Sequence, residues 1–284
     1  MNFRKFIIDK FTKAAMSTMN SLNLSLPDGK PPAALTTGLV IFMSLIYLLS
    51  LVVDINGHIS LKPNALFKLD LNRLSLYPLG HLSLTHLVLN SLSLFGPLTM
   101  FERSHGTVHT GVVLNLLAVF TAIVYCLMGS LFFSKTEVLG SSGWCFSLFA
   151  YFSFKEATIR PQQRIFHSFS APTKYMPVLI LVLVTIFFPG SSFWGHFIGM
   201  GMGYVLAWKE NFVGKLVPPS SLIQKIESKL DSAIAMIPLG VKFYKEEAAN
   251  REESYKSLFG DESVLPLHNQ TSTNFQGEGR PLGN

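Results

Sequence analysis

Six apolar stretches, each long enough to cross or nearly cross a bilayer, fall at about 33–53, 79–101, 111–133, 138–154, 176–189 and 193–208. In hydrocarbon a backbone must satisfy its own N–H and C=O groups, so such runs read as helices. The charge content agrees. Only 14% of the 284 residues are charged, against about a quarter in a typical soluble domain. The chain therefore reads as an all-α polytopic membrane protein with six transmembrane helices, the lipid bilayer as its surroundings and no nucleic acid among its partners.

Outside the spans the composition divides the chain further. Residues 1–32 carry Arg4, Lys5, Lys10 and Lys13 among Phe3, Phe6, Ile7, Phe11, Ala14 and Ala15, which share one helical face. This is the pattern of an interfacial amphipathic helix, and it lacks the continuous apolar core of a cleavable signal. Residues 33–208 hold the membrane domain, with 54–78 as a structured, partly embedded loop. Residues 209–245 read as a second amphipathic, interfacial segment, broken at Pro218-Pro219 and Pro238, and 246–284 as a disordered polar tail. Cys126 and Cys145 both lie within spans and do not form a disulfide framework.

Lys and Arg counts set the orientation. With both ends on one side, that side receives five (1–32), one, four and nine basic residues; the other receives three, one and none. Both termini are therefore expected in the cytosol. Spans 2, 4 and 6 then all run back toward the cytosol.

Those three spans carry polar groups that hydrocarbon cannot satisfy: His81, His86 and Asn90 in span 2, Ser142 in span 4, and His196 in span 6. Asn90, Ser142 and His196 each precede the first charged residue of the cytosolic end (Arg103, Lys155 and Lys209) by thirteen positions. At ~1.5 Å per residue all three sit ~20 Å above that boundary. His86 and Asn90 share a helix face, whereas His81 lies about 140° round from His86 on a regular helix.

A serine hydroxyl becomes a nucleophile when a base takes its proton, and neutral imidazole is the usual base. No Asp or Glu lies deep in a span, since Asp54, Glu102 and Glu137 all stand at ends. The residues thus allow a Ser142–His196 dyad rather than a triad. Asn90, His86 and the Ser142 backbone N–H are candidate oxyanion donors. Gly143 leaves space beside Ser142, and Gly199 and Gly203 form a small-xxx-small face for close approach of span 6 to span 4. His81 and His86 are five apart, unlike the i, i+4 pair of a helical zinc site, so no metal and no cofactor are expected. Taken singly, Ser142 is most simply a helix-start hydroxyl, and the glycine pair is most simply packing.

These residues carry a resemblance. "HLSLTHLVLN" (81–90) resembles the second-helix motif of the rhomboid intramembrane proteases. "GSSG" (140–143) is similar to their G-x-S-G motif, and "GHFIGMGMG" (195–203) to their A-H-x-x-G-x-x-x-G motif, with Gly195 for the alanine. "FERSHG" (101–106) resembles their E-x-x-x-G segment, and "PPAALTTGLV" (31–40) with the long tail is similar to the fungal Golgi rhomboids. The resemblance implies a six-helix rhomboid fold with cytosolic extensions, Ser142 as nucleophile and His196 as general base. It further implies Asn90 and His86 as oxyanion support, with His81, Gly140, Gly143, Gly199 and Gly203 supporting the site. It implies transmembrane proteins as substrates and the Golgi membrane as location, with endoplasmic reticulum and endosome as the other compartments. Arg73 stands in the first loop without the tryptophan that other rhomboids often pair with it.

Near the end of the chain "NFQGEGRPLG" (274–283) resembles the SHP box, a short motif that binds the hexameric AAA ATPase valosin-containing protein. Phe275 and Leu282 would be the apolar anchors, with Gly277, Gly279 and Gly283 letting the backbone lie flat. The alternative to an active intramembrane serine endopeptidase is a catalytically silent, derlin-type scaffold that hands membrane clients to the ATPase. Derlin-like members lack the serine and histidine that this chain retains. A transporter with histidine relays is disfavoured, because no carboxylate is embedded.

Overall fold

Six helices fill the six apolar stretches: α1 (Ala34–Ser50), α2 (Leu84–His105), α3 (Thr107–Phe132), α4 (Ser142–Ile159), α5 (Met176–Phe187) and α6 (Phe193–Trp208). The computed structural model describes residues 31–166, 169–238 and 240–249. Nearly all of the 1–32 segment, and the whole 275–283 motif, lie outside the described residues. By length and composition α2 and α3 can cross a bilayer core, while α1 and α5 are shorter apolar helices. Large apolar side chains line the outer faces of the bundle: Leu45, Leu131 and Phe187 are 57%, 78% and 70% exposed. A surface this apolar fits hydrocarbon rather than water.

α4 occupies the centre. Trp144, Phe146, Leu148, Ala150, Tyr151 and Phe152 are all buried. They point in every direction around the helix, so α4 has no polar stripe to betray its orientation. α4 packs most closely on α6. The Trp144 indole N–H donates to the Leu114 carbonyl of α3 at 2.9 Å.

α2 begins later than the apolar run suggests. Pro78 sits in a 3-10 turn at Tyr77–Leu79, and Ser83 caps the helix by accepting from the His86 N–H at 3.2 Å. The helix therefore starts at Leu84 and leaves His81 outside it. The 54–78 loop contains short helices at Ile55–Ile59 and Leu71–Leu76. Arg73 holds this loop together: its guanidinium pairs with Asp70 at 3.0 Å and donates to the carbonyls of Ser60 (2.7 Å) and Gly57 (2.6 Å).

The fold is mostly helical, as expected, with one small addition of sheet. The connection between α4 and α5 forms an antiparallel hairpin of β1 (Gln162–Phe166) and β2 (Phe169–Pro172). Pro161 keeps α4 from continuing, and the Thr173 N–H closes the base of the hairpin on the Pro161 carbonyl at 2.9 Å.

The lower end of the bundle, where α2 ends and α3 begins, is tied by two carboxylates. Ala33 offers α1 no side-chain cap. Glu102, at 0% exposure, caps α1 from across the bundle, accepting from the N–H groups of Leu35 and Thr36 at 2.8 and 2.9 Å. It also accepts from the hydroxyls of Thr36 and Thr107. Gly106 then turns the chain into α3 at φ +88°, a conformation that favours glycine. A strap at 240–249 closes over this corner. The Lys242 carbonyl accepts the Ala34 N–H and the Lys242 N–H donates to the Pro32 carbonyl, while Tyr244 pairs with Thr107.

Glu210, just beyond α6, forms the other tie. It accepts from His105 at 3.0 Å, from the Tyr151 hydroxyl at 2.7 Å and from Lys155 at 2.5 Å. Burial alone would raise its pKa, but these three donors outweigh it and hold the carboxyl near 2, below the ordinary 4.5. A depressed carboxylate contributes stability that is complete above its unfolded pKa and is lost as pH falls through the folded one. Thermal unfolding in detergent micelles should show this contribution intact above pH 4.5 and vanishing toward pH 2. Glu210→Gln should remove that part of the pH dependence.

Candidate active site

Gly140 sets the entry to α4. Its φ of +119° suits glycine, and its N–H donates to the Tyr77 carbonyl at 2.9 Å. Leu61 and Val138 pair antiparallel beside it, with N–H to carbonyl distances of 2.8 and 3.0 Å. Loop 54–78 is thereby fastened to the residues that launch α4, and Ser142 becomes the first residue of that helix. The first N–H groups of a helix have no intrahelical acceptor and carry the positive end of its dipole.

The structure brings Ser142 and His196 together: His196 Nε2 lies 2.9 Å from Ser142 Oγ. For Nε2 to accept the serine proton, Nδ1 must carry the ring hydrogen. Nδ1 is buried and meets no hydrogen-bond partner among the described residues. Among the described residues no carboxylate meets the ring. It is held instead by stacking on Phe146, with centroids 4.8 Å apart and planes at 25°. Phe146 is one turn beyond Ser142 and was not singled out from the sequence, where it is one apolar residue among many.

A second cluster gathers over Gly140. A Cβ built there would lie 2.6 Å from His86 Cε1 and 3.2 Å from Asn90 Nδ2. Any side chain at 140 would displace both. His81, though off the helix, turns inward at 0% exposure, and its Nε2 lies 3.1 Å from Asn90 Nδ2. Its Nδ1 lies 3.3 Å from the Leu79 carbonyl. One tautomer serves both contacts, with Nδ1–H donating to Leu79 and Nε2 accepting from Asn90. The helical-wheel obstacle to combining His81 with Asn90 disappears because the chain before Ser83 is not helical. Ser141, the apparently unremarkable serine of the pair, is fully buried and its Oγ lies 3.5 Å from His81 Nε2.

Close packing of α4 on α6 sets the spacing. A Cβ at Gly199 would lie 2.7 Å from the Gly143 carbonyl oxygen, and one at Gly203 would overlap the Ser147 carbonyl. Ser147 Oγ sits between the two helices, 2.8 Å from the Gly143 carbonyl and 2.7 Å from that of Gly199. Gly203→Ala should therefore destabilise the protein by about 1–3 kcal/mol, and should cut proteolysis of a reporter substrate at least tenfold by parting Ser142 from His196. Gly201→Ala is the matched control, since a Cβ there meets nothing within 4 Å. Equal behaviour of the two variants would show that the close face does not set the site.

Beside Ser142 lies a cavity of about 10 Å³, bounded by Leu61, Tyr77, Thr121, Tyr125, Val138, Gly143 and Gly195. That is about the volume one water needs, and the lining contains three hydroxyls besides that of Ser142. Another cavity, of about 670 Å³, lies at the lower end, bounded by His109, Tyr151, Lys155 and Glu210. Tyr151 is nine residues, or about 14 Å, down α4 from Ser142. Among the described residues, no three His, Cys, Asp or Glu side chains are grouped to hold a metal ion.

Comparison with known proteins shows the family of the chain. A family profile described as a rhomboid domain matches residues 68–210. The chain is 52% identical over 255 residues to Rhomboid-type serine protease 2 of Saccharomyces cerevisiae, covering 89% of this chain and 97% of the relative. The chain belongs to the rhomboid family. The rhomboid is also 50% identical over 271 residues to Rhomboid-type serine protease 2 of Kluyveromyces lactis, covering 94% of this chain and all of that one. Rhomboid-type serine protease B of Aspergillus fumigatus is 34% identical over 175 residues, covering 61% of this rhomboid and 63% of that protein. The matched profile includes Ser142, His196, the histidines at 81 and 86, and Asn90, and extends past the end of α6.

Proposed function

We propose that this rhomboid serine protease cuts transmembrane proteins within the bilayer, with Ser142 as nucleophile and His196 as general base. The observation that carries the reading is the 2.9 Å contact between His196 Nε2 and Ser142 Oγ, made by two helices too closely packed to drift apart. The serine hydroxyl passes its proton to Nε2 as Oγ attacks the scissile carbonyl, and the imidazolium then protonates the leaving amine. Charge developing on the carbonyl oxygen faces the N-terminus of α4, where backbone N–H groups with no intrahelical acceptor supply donors. Asn90 and His86 are assigned to the same oxyanion. His81 positions Asn90 by accepting its amide hydrogen.

The second half-reaction needs water where hydrocarbon surrounds the protein. The small cavity against Ser142, lined by Tyr77, Thr121 and Tyr125, is suited to holding one water for deacylation. On this reading all six helices α1–α6 span the membrane, both termini are cytosolic, and the dyad lies toward the lumenal face of the Golgi membrane. The thin, largely exposed α5 is the side from which a substrate helix enters. The tail motif at 275–283 couples the protease to the AAA ATPase valosin-containing protein. The derlin-type scaffold is not favoured, because an activated serine serves no purpose in it.

A fluorophosphonate probe tests the dyad. It should label the purified full-length protein at Ser142 and at no other serine, and labelling should fail in His196→Ala. Label on another residue, or none, would overturn the assignment. For the tail, removal of residues 275–284 should abolish co-purification of the ATPase while leaving proteolysis in detergent unchanged. Undiminished co-purification would remove the ATPase from the scheme.

A further inference from the structure

The protein carries a surface that proteolysis does not use, on α7 (Ser220–Lys229) and the chain that leads into it. At about 100° per residue, α7 divides into four faces. Ile223 and Glu227, 1% and 3% exposed, face inward; Ile223 joins the core cluster and Glu227 accepts the Glu246 N–H at 3.0 Å. Next to them runs an exposed apolar stripe of Leu222, Ile226 and Leu230, at 46%, 40% and 51%. Lys225 and Lys229 border the stripe on its other side, both exposed. Ser221, Gln224 and Ser228 make up the remaining, polar face.

The stripe does not stand alone. From the end of α6, Trp208, Phe212 and Leu216 are 67%, 60% and 43% exposed, so the apolar surface runs on from the bundle toward α7. Charge on this stretch is sorted. Between 209 and 230 the carboxylates are Glu210 and Glu227. The first is held by His105, Tyr151 and Lys155, and the second is turned onto the strap. The exposed charges of the same stretch are Lys209, Lys215, Lys225 and Lys229. Lys209 Nζ lies over the Trp208 ring at 4.0 Å, the arrangement of an aromatic and a cation at a headgroup boundary.

We propose that α7 and the 209–216 segment form a docking surface for an anionic lipid bilayer. The stripe of Leu222, Ile226 and Leu230 enters the headgroup boundary, while Lys225, Lys229 and Lys215 meet the lipid phosphates and carboxylates. Protein interfaces are depleted in lysine, whereas an apolar stripe edged by lysines with the acids turned away matches a negatively charged membrane. Docking would hold the end of α6, at Trp208, at the membrane plane. The proposal rests on the reading that α1–α6 are embedded in a bilayer.

The test uses full-length protein with a photocrosslinking amino acid at Ile226, Ser228 or Val182, reconstituted into phosphatidylcholine vesicles with or without phosphatidylserine. Val182 is 47% exposed on α5 and reports the membrane reading by itself. Mass spectrometry should find lipid adducts at Val182 and Ile226 and few at Ser228. Each lysine at an anionic surface is worth about fivefold in partition. Omitting phosphatidylserine, or introducing Lys225→Gln with Lys229→Gln, should therefore lower the Ile226 adduct at least fivefold and leave that at Val182 unchanged. Lipid adducts at Val182 with none at Ile226, or an Ile226 adduct indifferent to lipid charge, would overturn the proposal alone. Absence of adducts at Val182 would overturn the membrane reading and this proposal together. In native membranes, an Ile226 adduct to a protein in place of lipid would also overturn it.

Discussion

Ser142→Ala is expected to lower the rate of reporter-substrate cleavage by roughly 10⁴-fold or more, and His196→Ala by a similar factor. The reason is cooperative. The hydroxyl has no acceptor for its proton without the imidazole, and the imidazole has nothing to activate without the hydroxyl. The double variant should therefore be no slower than either single one, where independent contributions would multiply. Folding should change little, because Ser142 Oγ contributes one contact, at 2.9 Å, at the edge of a helix that is otherwise anchored by Trp144, Phe146 and Ser147. Thermal unfolding of Ser142→Ala within about 0.5 kcal/mol of the parent is the matching expectation. Cleavage by Ser142→Ala at even a hundredth of the parent rate would exclude it as the nucleophile.

The largest effect on stability is expected at Glu102, twelve residues along α2 from Asn90 of the candidate site. Its two carboxyl oxygens accept from Leu35, Thr36 (N–H and hydroxyl) and Thr107, all inside the protein. Glu102→Ala leaves these buried and part-buried donors without their acceptor. Each such loss costs about 1–3 kcal/mol, so a total near 3–5 kcal/mol is expected after partial relaxation. Glu102→Gln keeps one acceptor oxygen but turns an NH₂ toward donors, so it should recover only about half. The measurement is thermal unfolding in micelles alongside turnover per folded molecule. Both variants should lose folded protein while the folded fraction keeps its turnover. A fall in turnover with unchanged unfolding temperature would mean that Glu102 acts on the site rather than on the frame.

Much of the frame was legible in the chain because hydrophobic length is a local property. The six helices coincide with the six apolar runs, and the breaks at Pro218-Pro219 and Pro238 bound the short helices of the 209–245 segment. The equal spacing of Asn90, Ser142 and His196 from the first charged residue beyond each of them can be read from the chain alone. The β1–β2 hairpin was missed because its ten or so residues carry no strong alternation and follow a helix end. The start of α2 was misplaced because apolar side chains continue upstream of Ser83, while Pro78 and the cap, not hydropathy, decide where helix begins.

Chemistry-bearing residue types at matched depths on helices of one direction are written in the sequence itself, since helical rise is fixed at ~1.5 Å per residue. That is how Ser142 and His196 could be paired without coordinates. What only the tertiary structure decided is lateral: that α4 stands at the centre against α6, that Phe146 stacks on the face of the His196 imidazole, and that His81 swings in from outside the helix to meet Asn90. Sequence spacing measures distance along a helix axis. Which faces meet is set by the packing of small residues such as Gly199 and Gly203 against a neighbour's backbone, and a single strand of sequence carries no measure of that distance.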